Sequence, residues 1–122
     1  MTQRRALVVD DSEAVRMVIV TGLQRAGYAV ESAASVAAAL ALQPESYDVV
    51  LIDLQLGAER GTDLFERLCV RDPAAAARCL LMTGGNVTLD LPGGVPVLAK
   101  PFRLDELIAA VEELSRHTPP RS

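Results

Sequence analysis

The chain has no tryptophan, and aromatic residues make up 3% of its 122 positions, so it lacks the stacking platforms on which bases and sugars are held. Nor is there an excess of positive charge. Lys and Arg number 12 against 16 Asp and Glu, a net charge of −4, which argues against nucleic acid and against an anionic membrane surface as partners. Histidine is almost absent. His117 is the only one, so Cys69 and Cys79, which form no CxxC pair, lack the company of a metal site and read as small core or surface residues in a reducing compartment. No apolar run approaches the ~20 residues of a membrane span. The opening "MTQRR" also lacks the apolar stretch of a signal peptide. A soluble, cytoplasmic protein is expected.

What the chain does have is apolar residue, half of the total, enough at this length for one domain around one core. Five short apolar runs stand out: "ALVVD" (6–10), "YAVESA" (28–33), "DVVLID" (48–53), "CLLMT" (79–83) and "VPVLAK" (95–100). At least three are apolar at successive positions, as strands of a parallel sheet covered on both faces must be. Helical patterns lie between them. Ser12 can cap a first helix over 13–26, with Val15, Ile19, Leu23 and Ala26 on its core face and Gly27 as its stop. Ser35 can cap a second over 36–42, closed off by Pro44. Residues 62–70 give a third, striped by Leu64, Phe65 and Leu68, and residues 104–116 a last one, striped by Leu104, Leu107, Ile108, Val111 and Leu114. Strand and helix alternate from end to end, the pattern of right-handed βαβ units and a doubly wound α/β sheet of flavodoxin-like or Rossmann order.

In such sheets ligands sit at the carboxyl ends of the strands. Those ends carry Asp10 and Asp11, Asp53, Thr83 and Lys100. So close a group of carboxylates repels itself unless a cation intervenes, and Lys100 with a hard divalent ion such as Mg²⁺ would supply that cation. A carboxylate beside an ammonium, a hydroxyl and a divalent metal has the chemical outline of a phosphoryl acceptor. Each residue also has a plainer reading: Asp10 and Asp11 as strand end and helix cap, Asp53 and Thr83 as turn residues, Lys100 as a solvated side chain.

Taken together, Asp10-Asp11-Ser12, Asp53, Thr83 and Lys100-Pro101-Phe102, spread over nearly the whole chain in register with five strands, resemble the receiver domain of two-component response regulators. The resemblance implies a flavodoxin-like five-stranded parallel sheet of order 2-1-3-4-5. It implies that Asp53 is the phosphoacceptor for a sensor histidine kinase or phosphotransfer protein. It makes Asp11, the Asp53 side chain and the Gln55 main-chain carbonyl ligands of Mg²⁺, with Asp10 acting mostly through bound water. Thr83 would move towards the phosphoryl group, Lys100 would contact one of its oxygens, and the Lys100–Pro101 bond would be cis. Gly61 fits the family's loop into the third helix. The implied protein is a signalling domain that catalyses only its own phosphorylation and dephosphorylation and switches contacts with a downstream protein partner, as a monomer or weak dimer. A phosphate-independent pseudo-receiver, acting through protein contacts alone, is the alternative.

Residues 1–116 are expected to form the receiver and 117–122 a flexible tail. With no output domain in these residues, the chain reads either as a single-domain regulator, as Met1 suggests, or as a receiver from a longer protein.

Three departures from the family pattern carry expectations. The stretch from Thr83 to Lys100 is short and holds Gly84, Gly85, Pro92, Gly93, Gly94 and Pro96, so the fourth helix, between the fourth and fifth strands, is expected to be short or missing. Val97 stands where many receivers have an aromatic residue. Gly57 replaces a frequent proline, so a looser loop over the site is expected. The tract 72–78 reads as a helix end running into a connector, and Arg4 and Arg5 as a solvated edge. Met17, Val18 and Val20 lie off the core stripe of the first helix, and exposed apolar groups there suit a kinase-facing surface.

Overall fold

The computed structural model describes residues 3–84 and 95–116. Five strands, β1 (Arg5–Val9), β2 (Ala29–Ala33), β3 (Val49–Asp53), β4 (Cys79–Gly84) and β5 (Val97–Lys100), pair in the order β2-β1-β3-β4-β5. Every pairing is parallel. This is the flavodoxin-like order, and the Rossmann alternative is excluded.

Both faces of the sheet are covered, and side-chain alternation divides the core in two. Leu7, Val9, Val50, Ile52 and Leu81 point to one face, where Val36 and Ala39 of α2 (Val36–Ala41) and Leu64, Phe65 and Leu68 of α3 (Gly61–Arg71) cover them. Ala6, Val8, Val49, Leu51, Leu80 and Met82 point to the other, against Ile19 and Leu23 of α1 (Glu13–Arg25) and Leu107 and Val111 of α4 (Leu104–Arg116). Each such Val, Leu or Ile contributes about 1.5–3 kcal/mol on burial. That is why the inner strands β1, β3 and β4 carry no alternating polar residues, while the edge strands β2 and β5 are partly exposed.

The caps form as the sequence suggests. Ser12 Oγ accepts from the Val15 N–H at 3.3 Å and Ser35 Oγ from the Ala38 N–H at 3.1 Å. Gly27 ends the α1 turn at φ +102°, a backbone state costly for a residue with a Cβ. Ala26, expected on the core face, is instead exposed as the C-cap, and Val20 is partly buried against α4's side of the core. Residues Pro73–Arg78 are a 3₁₀ helix of their own rather than a connector, opened by Asp72, whose side chain accepts from the Ala74 N–H. Arg5 is exposed, but its guanidinium lies 4.3 Å from the centre of the Tyr47 ring and its amide donates to Asp48 Oδ2 at 2.8 Å. Both cysteines are free, and burial pushes the Cys79 thiol up to about 12.

The expectation for the fourth helix falls on residues 84–94, of which 85–94 lie outside the described residues, as does the 117–122 tail. Among the described residues no helix is long and apolar enough to cross a membrane.

Candidate functional site

Strand register assembles the site. Val9 pairs with Ile52, so Asp10 emerges level with Asp53, and Asp53 pairs in turn with Met82. One step further, Thr83 pairs with Ala99 and Gly84 with Lys100. The carboxyl ends of four adjacent strands, β1, β3, β4 and β5, therefore meet at one edge.

One carboxylate oxygen from each of Asp10, Asp11 and Asp53 can be chosen so that all lie within 4.8 Å of one another. Asp10 and Asp53 are buried, while Asp11 is exposed. Lys100 Nζ sits 2.9 Å from Asp53 Oδ2 and 3.4 Å from Asp10 Oδ2. The remaining oxygens of the two buried carboxylates are also held. Asp10 Oδ1 accepts from the Ser12 N–H at 2.9 Å, and Asp53 Oδ1 accepts from the Gln55 N–H at 3.0 Å. The Thr83 hydroxyl, buried on the neighbouring strand, has no hydrogen-bond partner among the described residues. The Lys100–Pro101 bond that follows is cis.

The charges act on one another. Burial raises the Asp10 carboxyl above its ordinary value, the Asp53 charge adds to this, and the Ser12 amide and Lys100 oppose it. For Lys100, burial pulls its ammonium down, yet the hydrogen bond to Asp53 and the charge of Asp10 leave it raised overall. Lys100 therefore stays protonated. Three carboxylates against one ammonium leave the cluster net negative. Its donors are all carboxylate oxygens with one exposed member, the donor chemistry of a hard divalent cation rather than of zinc or copper. The cluster fits Mg²⁺.

Sequence reasoning missed several supports. Arg16, one turn into α1, donates from Nη1 to the Asp10 carbonyl at 2.8 Å. The segment after Asp53 is a small antiparallel ladder, Gln55–Leu56 with Glu59–Arg60. Its turn begins at Gly57, with φ +64°, a value that a proline ring, fixed near −65°, cannot take. Gly61 then opens α3 where a Cβ would lie 2.1 Å from the Asp53 carbonyl oxygen. Two-residue strands are too short to leave a periodic signal, and only the Gly57 position hinted at a turn.

The profile of the response regulator receiver domain family matches residues 6–112. The transcriptional regulatory protein CutR of Streptomyces coelicolor is 33% identical over 120 residues, which cover 93% of this chain and 54% of that protein. The response regulator receiver protein CpdR of Brucella abortus is 30% identical over 117 residues, covering 91% of this chain and 96% of its own. A solved receiver domain from Methanospirillum hungatei superposes with a TM-score of 0.81 at 25% identity, over 95% of this chain and 96% of that one. A Burkholderia pseudomallei response regulator, solved with a phosphorylated aspartic acid, a calcium ion and citrate, is 29% identical with a TM-score of 0.72, over 93% of this chain and 69% of that one. The chain spans about half the length of several of the curated relatives it matches.

Proposed function

The chain belongs to the response regulator receiver domain family, the signalling domains of two-component systems, and from that premise we propose that Asp53 accepts a phosphoryl group from a phosphohistidine of a sensor kinase or phosphotransfer protein. The observation that carries this reading is the convergence on Asp53 of Lys100 at 2.9 Å and two further carboxylates, beside a buried hydroxyl with no partner among the described residues. The phosphorylated aspartic acid of the Burkholderia relative supports it.

An Asp53 oxygen attacks phosphorus, the phosphorus–nitrogen bond of the donor breaks, and its electron pair returns to the imidazole ring. Lys100, already an ammonium at the attacking carboxylate, turns its charge to a phosphoryl oxygen as that oxygen arrives. The Thr83 hydroxyl donates to a second one, so the negative charge meets donors already in place. The Gln55 amide keeps Asp53 Oδ1 oriented throughout. Asp11, Asp53 and the Gln55 carbonyl would hold Mg²⁺, with Asp10 acting mostly through bound water, and when bound it offsets the charge of the carboxylates and the phosphoryl group. Hydrolysis of the acyl phosphate resets the domain. No external metabolite is turned over.

Residues 1–116 make up the signalling unit in this reading, with 117–122 as its tail. Met17 and Val18 are 62% and 55% exposed on α1, beside an apolar groove lined by Val15, Ile19, Phe102 and Leu104. That groove neighbours Lys100, so a donor protein seated there lies next to the acceptor. A downstream protein partner reads the phosphorylated form.

Intact mass after incubation with acetyl phosphate tests the proposal. One added phosphoryl group that requires both Mg²⁺ and Asp53, and is lost in Asp53→Ala, is expected. No addition under any condition, from acetyl phosphate or from a phosphohistidine donor, would overturn it in favour of a phosphate-independent module.

A further inference from the structure

The hairpin over the acceptor is tied to the body of the domain at three points. Leu56 is buried in the core cluster that also contains Ala33, Val36 and Leu54. Gly61 fixes its exit, with its N–H donating to the Leu54 carbonyl at 3.0 Å and no room for a Cβ. The third tie is a side chain. Glu59 Oε1, on the outer strand, accepts from the Val36 N–H at 3.2 Å. Val36 is the first residue of α2, and its N–H has no partner within the helix. Ser35 already caps the Ala38 N–H, so the two side chains satisfy different amides, and a carboxylate suits that end of a helix.

Towards the site, the hairpin touches two of the three acidic residues. Gln55 donates to Asp53 Oδ1, and the tip at Gly57 lies against Asp11, where a Cβ would be 3.8 Å from Asp11 Oδ2. Residues 57–60 are all exposed. Among them, Glu59 carries the hydrogen bond to another element from a side chain. A ladder of two residues per strand is marginal by itself, so what anchors the outer strand decides how closely the tip stays over the carboxylates.

We propose that Glu59 is a positioning residue: by taking up the Val36 amide it holds the 55–60 hairpin against Asp53 and Asp11 and so sets the lifetime of a phosphoryl group on Asp53. This rests on the phosphoacceptor reading above. In the resetting step water attacks phosphorus, the bond from phosphorus to the Asp53 oxygen breaks, its electron pair stays on the carboxylate, and a proton passes to solvent. A hairpin held down restricts the approach of that water. One released from α2 opens it.

The experiment uses the whole chain with Glu59→Ala and Glu59→Gln. Each is loaded from acetyl phosphate in excess Mg²⁺, the donor is removed, and phosphoryl loss is followed by intact mass. Amide exchange over 55–60 is measured in parallel without donor, with melting temperature as a control for folding. Glu59→Ala is expected to lose its phosphoryl group about 3- to 10-fold faster, the size of one net hydrogen bond, and to exchange faster at 55–60. Glu59→Gln keeps an oxygen for the Val36 amide and is expected to stay within about twofold of the parent in both. An unchanged lifetime in Glu59→Ala overturns the proposal, and so does equal acceleration in both variants, which would make charge rather than the hydrogen bond responsible. If the parent chain loads no phosphoryl group from acetyl phosphate or from a phosphohistidine donor, the phosphoacceptor reading falls and the lifetime role with it. Faster exchange in Glu59→Ala alone would then still establish the tie to α2, and unchanged exchange would overturn that too.

Discussion

The two edges of the sheet both bury polar groups, and they treat them differently. At the amino edge most buried polar groups are paired, the exception among the described residues being Arg78 Nε just before β4. The Arg5 amide meets the Asp48 carboxylate at 2.8 Å, the Arg5 guanidinium covers the Tyr47 ring, and the Tyr28 hydroxyl shares a 2.9 Å hydrogen bond with Ser115. At the carboxyl edge two of three clustered carboxylates share one ammonium, and the Thr83 hydroxyl has no partner among the described residues. Buried polar groups are normally satisfied, and in the phosphoacceptor reading the unmatched groups of the carboxyl edge are those that face the phosphoryl group.

The widest separation between the edges is expected from their cations. In the phosphoacceptor reading, Lys100→Ala removes the ammonium beside Asp53, and the initial rate of loading from acetyl phosphate should fall about 100-fold or more, as for loss of one preorganised charge donor. Arg5→Ala, at the other edge, should leave that rate unchanged and lower the melting temperature slightly through loss of the ring contact. Equal loading by Lys100→Ala and the parent would erase the distinction.

Glycines sharpen it next. Gly61→Ala sets a Cβ 2.1 Å from the Asp53 carbonyl oxygen and 2.7 Å from Leu54 Cα. Backbone must move, so denaturant unfolding should show a loss of about 2–3 kcal/mol, and loading should suffer because Asp53 moves with it. Gly27→Ala meets no atom within 4 Å but keeps φ at +102°, and should cost about 1 kcal/mol with loading intact.

How much of this was legible follows from the range of each interaction. The strands were readable because burial on both faces demands unbroken apolar runs. Ser12 and Ser35 were readable because a cap acts within three residues. Asp10, Asp11, Asp53 and Lys100 could be collected because a parallel sheet delivers strand ends to one edge. Glu59 on Val36 and Arg5 over Tyr47 were missed because they act across the chain without a pattern, and Arg16 on the Asp10 carbonyl, though only six residues away, follows no capping spacing. Ala26 was misplaced because a helical stripe continues in projection past the point where Gly27 turns the chain.

Neutralising one carboxylate should reverse the usual sign of a core substitution. Asp10→Asn keeps an acceptor for the Ser12 amide and removes one charge from the cluster. The folded chain holds the Asp10 proton to higher pH than the ordinary value of 3.8, so the ionised carboxylate is a cost that builds as pH rises from that value through the raised one and is constant above it. With metal chelated at pH 7, Asp10→Asn should be more stable by about 1 kcal/mol, a few degrees in melting temperature for a chain of this size. The gain should shrink as pH falls and Asp10 takes up its own proton. A loss of stability at pH 7 would show that the cluster is not under tension.

The finest comparison sets one hydroxyl against another. Tyr28→Phe strands the Ser115 hydroxyl at the amino edge and should cost about 1 kcal/mol, since a buried polar group that loses its partner bears the desolvation without the bond. Thr83→Val removes a buried hydroxyl that has no partner among the described residues, in nearly the same shape, and should be neutral or stabilising by up to about 1 kcal/mol. The two deletions are chemically alike, and opposite signs can come only from what surrounds them. If Thr83→Val costs as much as Tyr28→Phe, the Thr83 hydroxyl is satisfied in the resting domain, and it would have to break a hydrogen bond before it could serve a phosphoryl oxygen.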